Sequence, residues 1–358
     1  MKPTPSRLLL AHRQIPHFSP PRTIRWRNNA TLSPSSSTIN QDEIAHFSKL
    51  SSQWWDEKGE FGMLHSMNPI RMEFVRNKLV EIAQEDSSPD VEVDGSKVFH
   101  GLNVLDVGCG GGLLSESLTR MGANTLGIDA SGSNIAIASH HALQDPLLLS
   151  NSPTGKGKGK LTYQHTSVED LLSKRGPESF DVVCSMEVLE HVDNPRSFLD
   201  SCARLVKPGG HLFLSTISRT PLAYFLTIFA AENLFRLVEP GTHTHSKFVN
   251  PQELIEFFAQ YRSSPPPALS HSPPYPPSSL ESTQNEETTK SRPWITKLNA
   301  QGVPSRLEAE TRGIMYLPWR SEWVLAPRGG GVGGLVGDVK KLTELCNYMF
   351  WVRKPQKE

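Results

Sequence analysis

The chain has 358 residues, 37% of them apolar, which supports a packed core and admits one large domain with insertions or two small ones. Its 37 Lys and Arg balance 37 Asp and Glu, so no net field argues for a nucleic-acid partner.

Residues 1–40 contain no Asp or Glu but carry Lys2, Arg7, Arg13, Arg22, Arg25 and Arg27 among many Ser, Thr and Pro. A basic, acid-free, Ser-rich start with the apolar patch Leu8–Leu10 reads as a mitochondrial transit peptide, or otherwise as a disordered basic tail. Its removal would leave an acidic protein. The four cysteines, Cys109, Cys184, Cys202 and Cys346, form no Cys-x-x-Cys pair and read as reduced thiols.

Residues 41–84 read as helices, with Ile44, Phe47, Leu50 and Trp54, then Phe74, Val75, Leu79 and Ile82, near helical spacing. A polar link, 85–97, follows. Strands are predicted at 102–107, 124–129, 161–166, 180–185 and 210–216, alternating with helical patterns. Two later strands fall near 312–316 and 347–353. This alternation predicts an α/β fold, a mostly parallel Rossmann-like sheet flanked by helices with the last strand antiparallel.

The most informative stretch is Leu105-Asp106-Val107-Gly108-Cys109-Gly110-Gly111-Gly112, between a strand and a helical pattern. A strand, a glycine turn and a helix make a nucleotide-type ligand site, with Gly108 and Gly110 letting the backbone approach the ligand. Leu113 stands where a dinucleotide fold wants its third glycine, and Asp106 also disfavours an NAD-dependent dehydrogenase. Asp129 ends the second strand, 21 residues after Gly108, where an acid can accept hydrogen bonds from both ribose hydroxyls.

After the fourth strand comes Ser185-Met186-Glu187-Val188-Leu189-Glu190-His191-Val192. Glu187, Glu190 and His191 have spacing i, i+3, i+4, which on a helix gathers two carboxylates and an imidazole on one face. Such a set can hold a divalent ion, with Mg²⁺ taking the oxygens, or can cap a helix and line a pocket. Asn194-Pro195 opens a helix, and Pro208-Gly209-Gly210 is read as a turn feeding the next strand. In the apolar stretch 221–238 the run 221–231 is too short to span a bilayer; the stretch reads as a lid, a membrane-surface helix or a core helix. His243 and His245 follow it, as acid–base groups or as plain surface. Residues 151–160 form a glycine-lysine loop without the features of a phosphate loop. Residues 263–308, rich in Ser and Pro, read as a disordered insertion, so that 41–358 is a single catalytic domain.

Taken together, the chain resembles the ubiquinone biosynthesis O-methyltransferases, a family of class I S-adenosylmethionine-dependent methyltransferases. The carrying pieces are Phe47-Ser48 through Trp54-Trp55-Asp56, Leu64-His65-Ser66-Met67-Asn68-Pro69-Ile70-Arg71, the glycine loop, Gly127-Ile128-Asp129, Met186 to Val192, and Gly241-Thr242-His243. The resemblance spans roughly residues 44–262 and 313–353. It implies S-adenosylmethionine contacts at Arg71, Gly108, Asp129 and Met186, with Arg71 pairing the methionine carboxylate. It also implies Mg²⁺ ligands at Glu187, Glu190 and His191, and catalytic roles for Glu187, His191 and His243. The implied acceptors are polyprenylated catechols and hydroquinones. The implied setting is the matrix face of the mitochondrial inner membrane, peripheral to the lipid and within a biosynthetic complex. A non-catalytic scaffold subunit and a methyltransferase for another small molecule are the alternatives.

Overall fold

The computed structural model describes residues 38–148, 159–227, 244–263, 292–328 and 344–357. The first helix, α1 (Gln41–Leu50), is capped by Asn40, whose side chain accepts from the Asp42 and Glu43 amides. A short 3₁₀ turn leads to α2 (Gly62–Asp86), which continues through Pro69 and buries Met67, Ile70, Phe74 and Leu79. The Rossmann-like core follows as β1 (Asn103–Val107), α3 (Leu113–Arg120), β2 (Asn124–Asp129), α4 (Gly132–Ala142), β3 (Leu161–His165), α5 (Val168–Arg175), β4 (Phe180–Met186), α6 (Pro195–Leu205) and β5 (Val206–Ile217). A single turn α7 (Pro221–Ala223), α8 (Pro251–Gln260), β6 (Ala309–Leu317), β7 (Glu322–Leu325) and β8 (Asn347–Arg353) complete it.

One eight-stranded sheet runs in the order β3-β2-β1-β4-β5-β8-β6-β7. The first five strands are parallel to their neighbours, while β5–β8, β8–β6 and β6–β7 pair antiparallel. Neighbouring side chains alternate between two apolar clusters. Leu105, Val183, Leu212 and Phe350 enter one, and Val104, Val182, Phe213 and Trp351 enter the other. Helices cover both faces, as the near-continuous apolar strands require.

Three expectations change. Pro208-Gly209-Gly210 is not a turn before the strand but an irregularity inside β5, where the pairing with β4 shifts between Phe180 and Val182. Gly209 supplies the left-handed backbone there, at φ 76°. The edge strand β7 was not expected. Within the span read as a disordered insertion, Trp294 and Ile295 are buried, each 2% exposed, against Phe258 and its neighbours. Residues 1–37, most of the 221–238 run and residues 264–291 lie outside the described residues. All four cysteines are free thiols, three of them buried. Among the described residues no helix is long and apolar enough to cross a membrane.

Candidate active site

The strand order reverses between β1 and β4, and ligands of open parallel sheets bind beyond the strand ends at such a point. A cavity of about 840 Å³ lies there, lined by Gly108, Asp129, Met186 and Glu187 at one end. Leu222, Leu226, Met315 and Tyr316 extend the same cavity as an apolar wall.

The glycine loop is shaped by close packing. Gly108, Gly110 and Gly112 take φ of 73°, 53° and 91°. The Gly108 and Cys109 amides both donate to the Ile128 carbonyl, at 2.8 and 2.9 Å, tying the loop to β2. A Cβ on Gly108 would stand 2.5 Å from Val188, and one on Gly110 would stand 2.3 Å from the Trp54 ring. The run of glycines therefore lets the Trp54 indole lie flush on the loop. Trp55 adds an indole N–H to the Gly111 carbonyl at 3.0 Å.

Asp129 at the end of β2 is fixed from three sides. Its Oδ2 accepts the Gly110 amide at 2.9 Å, and its Oδ1 accepts the Ser131 amide at 2.7 Å and Asn134 Nδ2 at 3.3 Å. Burial raises its pKa against these donors. Asp106, at the end of β1, is pushed up to about 6 by burial, although Ser115 donates to it at 2.6 Å.

Arg71 reaches the cavity from α2 and is buried. Its Nη2 stands 3.7 Å from Glu187 Oε1, and Nε and Nη2 make no hydrogen bond. Burial lowers its pKa, and the Glu187 carboxylate opposes that. A buried guanidinium with unfilled donors is matched to a carboxylate ligand.

The Glu187–His191 stretch is not helical as the spacing suggested. Glu187 takes a left-handed φ of 54°, and a 3₁₀ turn spans only Leu189–His191. Glu187 Oε1 accepts from Ser215 at 2.5 Å. Glu190 is buried, accepts from Thr216 at 2.8 Å through Oε2, and leaves Oε1 without a partner. Burial and then the Glu187 charge push its pKa up to about 8. His191 turns away to Glu43 of α1, with Nδ1 3.1 Å from Oε2. Glu43 also takes Lys247 at 3.3 Å, and these two partners outweigh burial and hold its pKa below the ordinary range. The three donors expected to ligate Mg²⁺ are thus engaged separately. No group of three or more metal-ligating side chains is assembled among the described residues. The set as arranged does not fit a three-ligand ion. His243 lies outside the described residues.

The structure therefore brings together Arg71, Gly108, Gly110, Asp129, Met186, Glu187, Glu190 and His191 around one cavity. Sequence reasoning missed Glu43, Asn134, Ser215 and Thr216. Only the last two carried a signal, as the polar end of a strand parallel to β4.

A Rossmann-like sheet with this glycine loop, an acid at the end of β2 and an antiparallel end defines an S-adenosylmethionine-dependent methyltransferase. A profile of the methyltransferase domain matches residues 63–261. The ubiquinone biosynthesis O-methyltransferase of Colwellia psychrerythraea is 42% identical over 61% of this chain and 80% of its own length. The mitochondrial protein of that name from Schizosaccharomyces pombe is 36% identical over 89% of this chain and 88% of its own. The rat mitochondrial protein of that name is 40% identical over 62% of this chain and 60% of its own. The chain belongs to the ubiquinone biosynthesis O-methyltransferase family.

Proposed function

We propose that this methyltransferase places the S-adenosylmethionine methyl group on a ring hydroxyl of polyprenylated catechol and hydroquinone intermediates, 3,4-dihydroxy-5-polyprenylbenzoate and demethylubiquinol. The observation carrying this reading is the single cavity that joins the polar end at Arg71, Asp129 and Met186 to an apolar wall at Leu222, Leu226, Met315 and Tyr316. One end suits a charged nucleoside cofactor and the other a greasy acceptor.

In this reading Asp129 holds the ribose hydroxyls, Arg71 the methionine carboxylate, and Gly108, Gly110 and Met186 shape the cofactor bed. The sulfonium methyl is already activated, so alignment with the acceptor oxygen supplies most of the rate. The acceptor must also lose its proton, and a phenol has a pKa near 10. Glu187 and Glu190 form the proton-accepting pair. Glu190, held at about 8, is a stronger base than an ordinary carboxylate once ionised. His191 holds α1 over the site through Glu43, and His243 is a second candidate acid–base group. Mg²⁺ is the ion a carboxylate pair would take, but the donors as arranged do not hold one, and no step here depends on it.

The setting is proposed to be the matrix face of the mitochondrial inner membrane, reached through the presequence at 1–40, within an assembly of other biosynthetic enzymes. Exposed Leu222 and Leu226 on the cavity wall, with exposed Tyr224 and Phe225 beside them in the chain, support contact with lipid. Alanine at Glu187 or Glu190 tests the chemistry. Each variant is expected to lose about a hundredfold in turnover while binding S-adenosylhomocysteine within about threefold of the parent, a loss at the low end of the general-base range. Full activity in both variants would remove the carboxylate pair from the mechanism.

A further inference from the structure

Trp54 does more than cover the glycine loop. Its indole N–H donates to Asn134 Oδ1 at 3.0 Å, and Asn134 Nδ2 donates onward to Asp129 Oδ1 at 3.3 Å. An indole nitrogen can only donate, so it fixes which end of the Asn134 amide faces it. The other end, the NH₂, must then point at the carboxylate. Without Trp54 the amide can turn over and set its oxygen against the Asp129 carboxylate. All three groups are buried, with Trp54, Asn134 and Asp129 exposed 8%, 3% and 9%. The indole is itself held flat, stacked on Phe61 at 3.8 Å with an interplanar angle of 2°. Ser48 of α1 reinforces the same link, 2.7 Å from Ser131, whose amide donates to Asp129.

We infer that Trp54 is a positioning residue for cofactor recognition, aiming the Asp129 carboxylate at the ribose hydroxyls through Asn134. The inference rests on the ribose reading of Asp129. Ser48 gives α1 its own link to the same carboxylate through Ser131, so the amino-terminal segment reaches Asp129 from two residues.

The test is a ratio of affinities measured by calorimetry on the full chain: S-adenosylhomocysteine against its 2′,3′-dideoxy analogue. Three variants are compared, each first checked for a cooperative melt. In D129N the preference for the dihydroxy ligand collapses. In W54F, which keeps an aromatic ring and removes the N–H, the preference falls about fivefold, the worth of one hydrogen bond. In W55F, which loosens the same loop through the Gly111 carbonyl without touching Asp129, the ratio stays within twofold of the parent. A W54F ratio equal to the parent, with D129N collapsed, overturns the role of Trp54 and leaves the ribose reading standing. An unchanged ratio in D129N overturns both. Equal falls in W54F and W55F reduce Trp54 to packing.

Discussion

Alanine at Gly111 separates packing from backbone conformation in the glycine loop. Gly111 is not among the left-handed glycines, so the added methyl meets only sterics. Its Cβ would stand 2.5 Å from Trp54 Cβ, 2.6 Å from Cγ and 2.9 Å from Cδ2. These atoms sit at the root of a side chain that is 8% exposed, so no flexible end can swing aside. Overpacking of this kind costs about 1–3 kcal/mol. Truncating the indole alone, W54A, costs about 3–5 kcal/mol. In the W54A background the Cγ and Cδ2 contacts are gone while the 2.5 Å Cβ contact remains, so the G111A methyl costs about 1 kcal/mol less than in the parent and the pair is coupled by that amount. Urea unfolding of the four proteins, followed by circular dichroism, measures the cycle. Equal costs of G111A in both backgrounds would refute the claim that the third glycine exists to seat Trp54.

Burial lowers the His211 pKa from 6.5 to about 3, so the folded protein keeps this imidazole neutral while the unfolded chain protonates it. Stability from His211 is present above pH 6.5 and is lost as pH falls towards 3, at up to about 1.4 kcal/mol per pH unit. H211N keeps an acceptor for the Trp351 indole and should show a shallower urea-stability profile across that window than the parent; parallel profiles would sink this. Replacing the exposed Phe225 with Glu should weaken binding to anionic liposomes at least threefold, since it removes apolar contact and adds repulsion. The same variant should still methylate a short-chain catechol, and unchanged liposome binding would argue against lipid contact at this residue.

The inner strands β1, β2 and β4 were legible because they are short, largely buried apolar runs. The expected 102–107, 124–129 and 180–185 differ from β1, β2 and β4 by a residue at most at either end. Glycine spacing and Asp129 likewise singled out residues that the fold places around one cavity. What spacing missed was conformation at Glu187. The i, i+3, i+4 pattern gathers side chains only on a helix, and a left-handed residue breaks that premise. Long-range pairs also have no local signature: Glu43 meets His191 from 148 residues away. In the Ser- and Pro-rich stretch, average composition hid Trp294 and Ile295, two large apolar groups that suffice to pin a segment to the core.

The central claim is that one cavity binds S-adenosylmethionine at its polar end and methylates an apolar phenol at the other. The most direct measurement is transfer of a labelled methyl group to a short-tailed 3,4-dihydroxy-5-prenylbenzoate, in buffer containing Mg²⁺, with the product identified by mass. Saturable, enzyme-dependent formation of the ring methyl ether is expected, with poorer use of the same catechol without its tail. Cofactor binding with no transfer to any prenylated catechol or hydroquinone would contradict it.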